Sequence, residues 1–285
     1  MKDGIILINK PSGVTSFSVV AAIRRRLNVK CGHCGTLDPL ATGLLPVMCG
    51  KATKLNSYFS AGDKAYRATL RFGIQTDTDD ITGTVTAADS KIVTFDQINA
   101  VLTKFIGEIS QVPPAYSAIK IGGKTMYKLA REGKNVEIPA RKVTIYSIKT
   151  VDFSDRELIM DIECSKGTYI RSLCRDIARK LGTVGTLSAL NRTKTCGWSV
   201  DEAVSVDCKN IEQHIISMDD ALSEYVPYYP DPFFAKLLSN GCAVNVKKLK
   251  NLPHGVCRVY FDGLIGLGNV IETQDGQVFK LITHL

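Results

Sequence analysis

Long hydrophobic runs are missing from this chain of 285 residues. The candidate nearest its start, residues 4–9 (GIILIN), falls far short of the roughly 20 apolar residues a membrane-spanning helix needs. The opening MKDGIILINKP also lacks a secretory layout, because Lys2 and Asp3 precede only a brief apolar run that ends in Asn-Lys-Pro. The expectation is a cytoplasmic protein with no membrane partner. Phosphate cradles are missing too: there is no GxxxxGK and no GxGxxG opening a helix. Cys31 and Cys34 form one CxxC pair around His33, but no second pair follows at zinc-ribbon spacing. The run Asp77-Thr78-Asp79-Asp80 starts like a calcium loop but lacks the glycine spacing and closing glutamate, so it reads as a solvated turn with capping carboxylates. The remaining cysteines of the nine stand singly and read as reduced, half-buried thiols. There are no internal repeats and no low-complexity tracts.

What is present is a chain 45% apolar, long enough for one large domain and a small one, with a net charge of +8 that favours an anionic partner. Residues 4–8 and 44–48 read as buried strands, and residues 64–72 and 158–163 alternate as strands. Thr15 or Ser16 can cap a helix that carries Val19, Val20, Ala22, Ile23 and Leu27 and ends on Arg24, Arg25 and Arg26. Helical spacing recurs in Ile98, Val101, Leu102 and Phe105, and in Ile170, Leu173, Ile177, Ala178 and Leu181. Strands and helices interleave without a regular βαβ repeat, which implies a mixed α+β domain. Residues 225–232, with Pro-Tyr-Tyr-Pro-Asp-Pro, read as a break in regular structure, and short strands after them (256–261, 264–271, 278–282) read as a small barrel or sandwich.

Four stretches could carry chemistry. In GHCGTLDPLATG (32–43) three glycines permit backbone shapes closed to other residues, and Pro39 holds Asp38 extended. Such a loop can fix one carboxylate, although an ordinary Asp-Pro turn has the same local look. In Lys166-Gly167-Thr168-Tyr169-Ile170-Arg171, an extended backbone would put Tyr169 and Arg171 on one face, where the guanidinium could pair with a carboxylate and keep it ionised. Asp63-Lys64-Ala65-Tyr66-Arg67 sets an aromatic between cations, as base stacking beside a phosphate requires, or as a cross-strand pair would. Residues 120–142 hold seven basic side chains against two acidic, a local balance of +5, which suits a basic arm that folds on RNA as well as a solvated surface.

Together these stretches resemble the bacterial tRNA pseudouridine-55 synthases of the TruB type. The matching segments, NKPSGVTS (9–16), GHCGTLDPLATGLLPV (32–47), KAYRATLRFGIQTDTDDITG (64–83), PPAYSAIKIGGKTMYKLAREG (113–133) and GTYIRSLCRDI (167–177), are collinear. The tail, through CRVYFDGLIGLGN (257–269) and Leu238-Ser239-Asn240-Gly241, is similar to a PUA domain. The resemblance implies an α+β fold with a mixed, largely antiparallel central sheet, a catalytic domain over 1–224 with a basic arm at about 113–142, and a PUA-like RNA-binding domain over 226–285. It implies isomerisation of one uridine in the T loop of tRNA, position 55, with Asp38 as the catalytic carboxylate and with neither metal nor cofactor.

By the same resemblance Tyr66 packs on the flipped base and Arg171 pairs with Asp38. Tyr169 and Leu190 wall the pocket, and His33 fills the vacated stack or supports the flipped loop. Asp80 belongs to the active-site network, and Lys10 and Pro11 border the pocket. The chain departs from the family pattern at Asn191-Arg192, where two arginines are usual, and at Cys31 and Cys34, which are taken as structural. The implied partner is the T arm of tRNA, with a monomer and no obligatory protein partner. Two other readings remain: a tRNA-binding protein that assists folding without chemistry, and a pseudouridine synthase for another RNA.

Overall fold

A computed structural model of the chain describes residues 2–117, 120–121, 124–126, 138–154, 156–274 and 276–285. The part of the expected basic arm that carries Lys128, Arg131 and Lys134 lies outside the described residues.

The strand Gly4–Lys10 is buried on both faces, which suits a central position. Its period of two sends Ile6 and Ile8 into one apolar cluster and Ile5 and Leu7 into another on the opposite face. Thr42–Cys49, its antiparallel neighbour, splits the same way, with Leu45 and Val47 on the first side and Leu44 and Met48 on the second. Among the described residues these strands belong to a ten-stranded sheet. Its main order is Val204–Ser205, Gly4–Lys10, Thr42–Cys49, Gly185–Thr195, Lys64–Phe72, Glu157–Cys164, Arg141–Ser154 and Gly107–Gln111. Two neighbouring pairs, Gly4–Lys10 with Val204–Ser205 and Thr42–Cys49 with Gly185–Thr195, are parallel, and the other ladders are antiparallel. The expected mixed, largely antiparallel sheet is therefore present.

Helices cover the first face. Ser16–Leu27 is capped by Thr15, whose hydroxyl accepts from the Ser18 amide at 3.0 Å, and it buries Val19, Val20, Ile23 and Leu27. Phe95–Leu102 has a reciprocal cap between Thr94 and Gln97 and buries Ile98, Val101 and Leu102. Ile170–Lys180 buries Leu173, Ile177 and Ala178. Each fully buried aliphatic side chain of this kind contributes ~1.5–3 kcal/mol.

The short parallel contact in mid-sheet pairs Thr42 with Asn191 and Gly43 with Arg192. Gly43 stands at φ +99°, and a Cβ there would collide with the Asn191 side-chain oxygen and the Arg192 backbone. Gly13, at φ +82°, faces open space. Gly43→Ala is expected to destabilise the fold by roughly 2–3 kcal/mol or more, against about 1 kcal/mol for Gly13→Ala, as read from urea unfolding midpoints.

The C-terminal unit is a second sheet, ordered Val226–Tyr228, Cys257–Tyr260, Leu264–Thr273, Gly276–His284 and Val244–Asn245. Tyr228 and Phe279 meet edge to face at 5.5 Å in its core. Residues 225–232 interrupt regular structure only at 229–231, between the strand Val226–Tyr228 and the helix that follows. Pro227 sits in an edge strand, where no amide is needed on the open side, and Pro232 opens the helix Pro232–Ser239 behind the capping Asp231. This unit also shares a core with the main sheet: Leu267 joins the cluster of Ile5, Leu7 and Leu222, and the Thr283 hydroxyl donates to the Tyr58 hydroxyl at 3.0 Å.

Candidate active site

The glycine loop is clamped from both sides. On one side Ser16 Oγ donates to the Leu37 carbonyl (2.9 Å) and accepts from the Leu37 amide (2.8 Å), while the Gly13 amide donates to the Pro39 carbonyl (2.8 Å). Lys10, fully buried, donates from Nζ to the carbonyls of Val14 (2.7 Å), Pro11 (2.9 Å) and Pro39 (3.3 Å). On the other side Arg192, also buried, donates to the carbonyls of Leu44 (2.8 Å) and Gly35 (3.0 Å). Gly35 takes φ +80°, which lets the backbone turn over Arg192. The loop is thus a rigid mount, and Asp38 is what it presents.

Asp38 reaches the wall of a cleft of about 620 Å³, within the range of small-ligand sites. Its Oδ2 lies 3.0 Å from Nε of Arg171, whose side chain is only 7% exposed while that of Asp38 is 40% exposed. Arg171 is held by the carbonyls of Tyr116 (2.9 Å) and Thr78 (3.0 Å), and its Nη1 lies 3.7 Å from Asp80. Burial pushes the Asp38 carboxyl above the usual carboxylate range; Arg171 opposes that, and the negative Asp80 adds to it. Burial also lowers the Lys10 ammonium to about 8, with Asp38 acting the other way.

Tyr66 and Leu190 stand on neighbouring strands, buried, and line the same cleft with Tyr169. Burial raises the Tyr66 hydroxyl to about 12, so it stays protonated. Tyr169 does not lie on an extended stretch with Arg171. It occupies the N-terminal boundary of the helix Ile170–Lys180, and Gln111 bonds its amide (2.8 Å) and its carbonyl (3.1 Å). The two residues face the cleft because the chain turns between them, not because a strand puts them on one face. The cleft therefore gathers Asp38, Arg171, Tyr66, Tyr169 and Leu190.

His33, Lys10, Pro11 and Asp80 are not on its wall. His33 lies on the short strand Cys31–His33, where burial lowers its pKa and its Nδ1 has no partner among the described residues. Lys10 and Pro11 brace the loop from behind. Asp80 is buried behind Arg171, its Oδ1 accepting from Thr78 Oγ1 and from the amide and hydroxyl of Thr82.

The run of aspartates is not a solvated turn. Asp79 and Asp80 are each 6% exposed, and Asp79 takes a 2.6 Å contact from Arg175. The turn is drawn inward because two cations of one helix, Arg171 and Arg175, need buried counter-charges. Breaking that second pair with Asp79→Asn or Arg175→Met is expected to cost roughly 3–5 kcal/mol, and combining the two changes should recover much of it. Urea unfolding of the double-mutant cycle measures the coupling; simple additivity would count against the pairing.

Lys64 and Arg192 also line the cleft. Sequence reading did not select Arg192 for a role there, although Leu190 and Arg192 are two apart and a strand would put them on one face. Among the described residues no three His, Cys, Asp or Glu side chains gather as a metal would need, and no helix is long and apolar enough to cross a membrane.

Comparison with known proteins agrees with this architecture. Residues 24–170 match the model of the TruB family of pseudouridylate synthases, N-terminal domain. The tRNA pseudouridine synthase B of Clostridium tetani (strain Massachusetts / E88) is 42% identical over 292 residues, 99% of this chain and 99% of its own. That of Aromatoleum aromaticum is 43% identical over 274 residues, 93% and 88% of the two chains. A solved structure described as a Cbf5-Nop10-Gar1 complex superposes with a TM-score of 0.73 at 25% identity, over 98% of this chain and 84% of that one. With that family model matched over more than half of its length and a relative 42% identical across nearly all of it, the chain belongs to the TruB family of pseudouridylate synthases.

Proposed function

We propose that this chain isomerises uridine to pseudouridine in tRNA, at position 55 of the T loop, with Asp38 as the catalytic carboxylate. The tRNA specificity rests on the names of the relatives at about 42% identity over nearly the whole chain. The observation that carries the chemical assignment is the half-exposed Asp38, mounted on a clamped loop 3.0 Å from the buried Arg171 and facing an aromatic wall.

The reaction breaks the bond between uracil N1 and the ribose, turns the base and joins C5 to the sugar. It needs a base flipped out of its stack, a surface to hold it and one ionised carboxylate at the sugar. Tyr66 supplies the stacking face and Leu190 and Tyr169 the walls. Asp38 attacks the sugar or removes the C2′ proton, and Arg171 keeps it charged for either step. Lys10 and Pro11 hold the loop, Asp80 holds Arg171, and His33 supports the remodelled T loop. No cofactor enters. The domains divide at 224–226, and the protein works in the cytoplasm as a monomer without a protein partner.

A T-arm stem-loop RNA carrying tritium at uridine C5 tests this, because C5 must lose its hydrogen on rejoining the sugar. Tritium release is the expected result; tight binding without release would favour the RNA-folding reading. The basic segment at 113–142 is expected to grip the phosphates. Reversing charge at Lys124, Lys128 and Lys134 should weaken binding and flatten its salt dependence by about 0.7–0.9 log units per lost contact. An unchanged salt slope would remove the arm from the interface.

A further inference from the structure

Cys34 lies four residues ahead of Asp38, at the foot of the clamped loop. Its sulfur is 3.2 Å from that of Cys196, a residue 162 positions away that follows the Gly185–Thr195 strand at φ +57°. Both are free thiols. We propose that Cys34 and Cys196 form a reversible disulfide, made by a small-molecule disulfide or a hydroperoxide, which shifts the catalytic loop and lowers turnover. Its effect on turnover rests on the role of Asp38 given above.

The geometry is close to that of a bond. The two sulfurs need approach by only about 1.2 Å to reach the disulfide length of about 2.05 Å. The two thiols also differ as an attacking and a resolving cysteine must. Cys34 is buried, and Cys196 is partly exposed. The Cys34 thiol hydrogen-bonds to the Cys196 sulfur, Thr195 adds its hydroxyl, and the cations of Lys64 and Arg192 stand near, together bringing Cys196 to about 7. Cys196, the more exposed of the two, is the one an oxidant reaches, so its thiolate attacks first.

With oxidised glutathione, the Cys196 thiolate attacks one sulfur, breaks the S–S bond and expels a glutathione thiolate. Cys34 then attacks the Cys196 sulfur and expels the second thiolate, which leaves with the Cys34 proton. Two protein thiols are oxidised and one glutathione disulfide is reduced to two thiols. With hydrogen peroxide, Cys196 becomes a sulfenic acid and water leaves; attack by Cys34 expels a second water.

The bond pulls on the loop that carries Asp38. The Cys34 amide is tied to the Pro46 carbonyl at 3.0 Å, and the next carbonyl, that of Gly35, is held by Arg192. A shift of about 1 Å in this frame displaces Asp38 from Arg171 and is large enough to cost about 10²-fold in rate. Cys31 and Cys49, directly paired across two strands with their sulfurs 3.8 Å apart, provide an internal comparison.

The test uses the full chain, reduced, then treated in parallel with oxidised glutathione or hydrogen peroxide. Non-reducing peptide mapping should find the Cys34–Cys196 cross-link. Single-turnover tritium release should fall by about tenfold or more and return on treatment with dithiothreitol. Cys196→Ser should keep the reduced-state rate within about twofold and lose the sensitivity. If both thiols remain open to alkylation after either oxidant, the proposal is overturned. It is equally overturned if cross-linked protein turns over at the reduced rate, or if Cys196→Ser is inhibited like wild type. Release by the reduced protein reports on the proposed function itself, while the peptide map reads the disulfide without any activity.

Discussion

Asp38→Asn is expected to remove turnover while leaving RNA affinity within a few-fold of wild type. Asn keeps the size of Asp and can still accept from Arg171, so the clamps from Ser16, Lys10 and Arg192 have no reason to release. What disappears is the negative charge that attacks the sugar or takes its proton. The loss should be about 10⁴-fold, the upper end of what a positioned base supplies. Single-turnover tritium release and filter binding on the same RNA measure the two quantities separately. Residual release near the wild-type rate would reassign the catalytic carboxylate.

Arg171→Met should have the next largest effect, through two separable routes. The first is stability. Arg171 is buried, and its removal leaves Asp80 buried without its cation and takes one donor from each of two carbonyls, a loss of roughly 3–5 kcal/mol. The second is the ionisation of Asp38. Burial already raises the carboxyl above its ordinary value, so the acid limb of the wild-type rate should lie above that of a free aspartate. Arg171 is the first of the groups that oppose the rise, ahead of Lys10. Without it the carboxyl climbs further, less of it is ionised at a given pH, and the acid limb moves to higher pH. A single-turnover pH–rate profile, with folding checked by circular dichroism at each pH, reads the second route apart from the first. An unmoved acid limb in folded Arg171→Met would show that the arginine positions Asp38 without tuning it.

The shared cluster around Leu267 bears on the C-terminal unit. An RNA-binding tail that could be cut away would weaken affinity and spare the chemistry. Because Leu267 packs on Ile5, Leu7 and Leu222, removing residues 226–285 also uncovers the second face of the main sheet. Point changes on the surface of the tail are the cleaner route to its role.

The first strand, the helices Ser16–Leu27 and Ile170–Lys180 and the loop around Asp38 were legible in the sequence. Their signals are local: a period of two, a period of 3.6, a cap, and glycines with a proline that restrict the backbone. The strands Gly107–Gln111, Arg141–Ser154 and Gly185–Thr195 were not read. The last is hardest, because Thr186, Arg192 and Thr195 look like surface residues yet are buried. Asp79 was misread for the same reason, since the cation that draws it inward is 96 positions away.

By itself, then, the sequence determined the first strand and the helices Ser16–Leu27 and Ile170–Lys180, that one carboxylate is carried on a stiff glycine loop, and that the charge favours an anionic partner. Only the tertiary structure decided that Asp79 is buried against Arg175, that Arg192 lies beneath Gly35 and that Cys34 meets Cys196. Backbone preference depends on adjacent residues along the chain. Burial, pairing and the protonation of a carboxylate depend instead on distance through space and on exclusion of water, and both exist only once distant segments have packed.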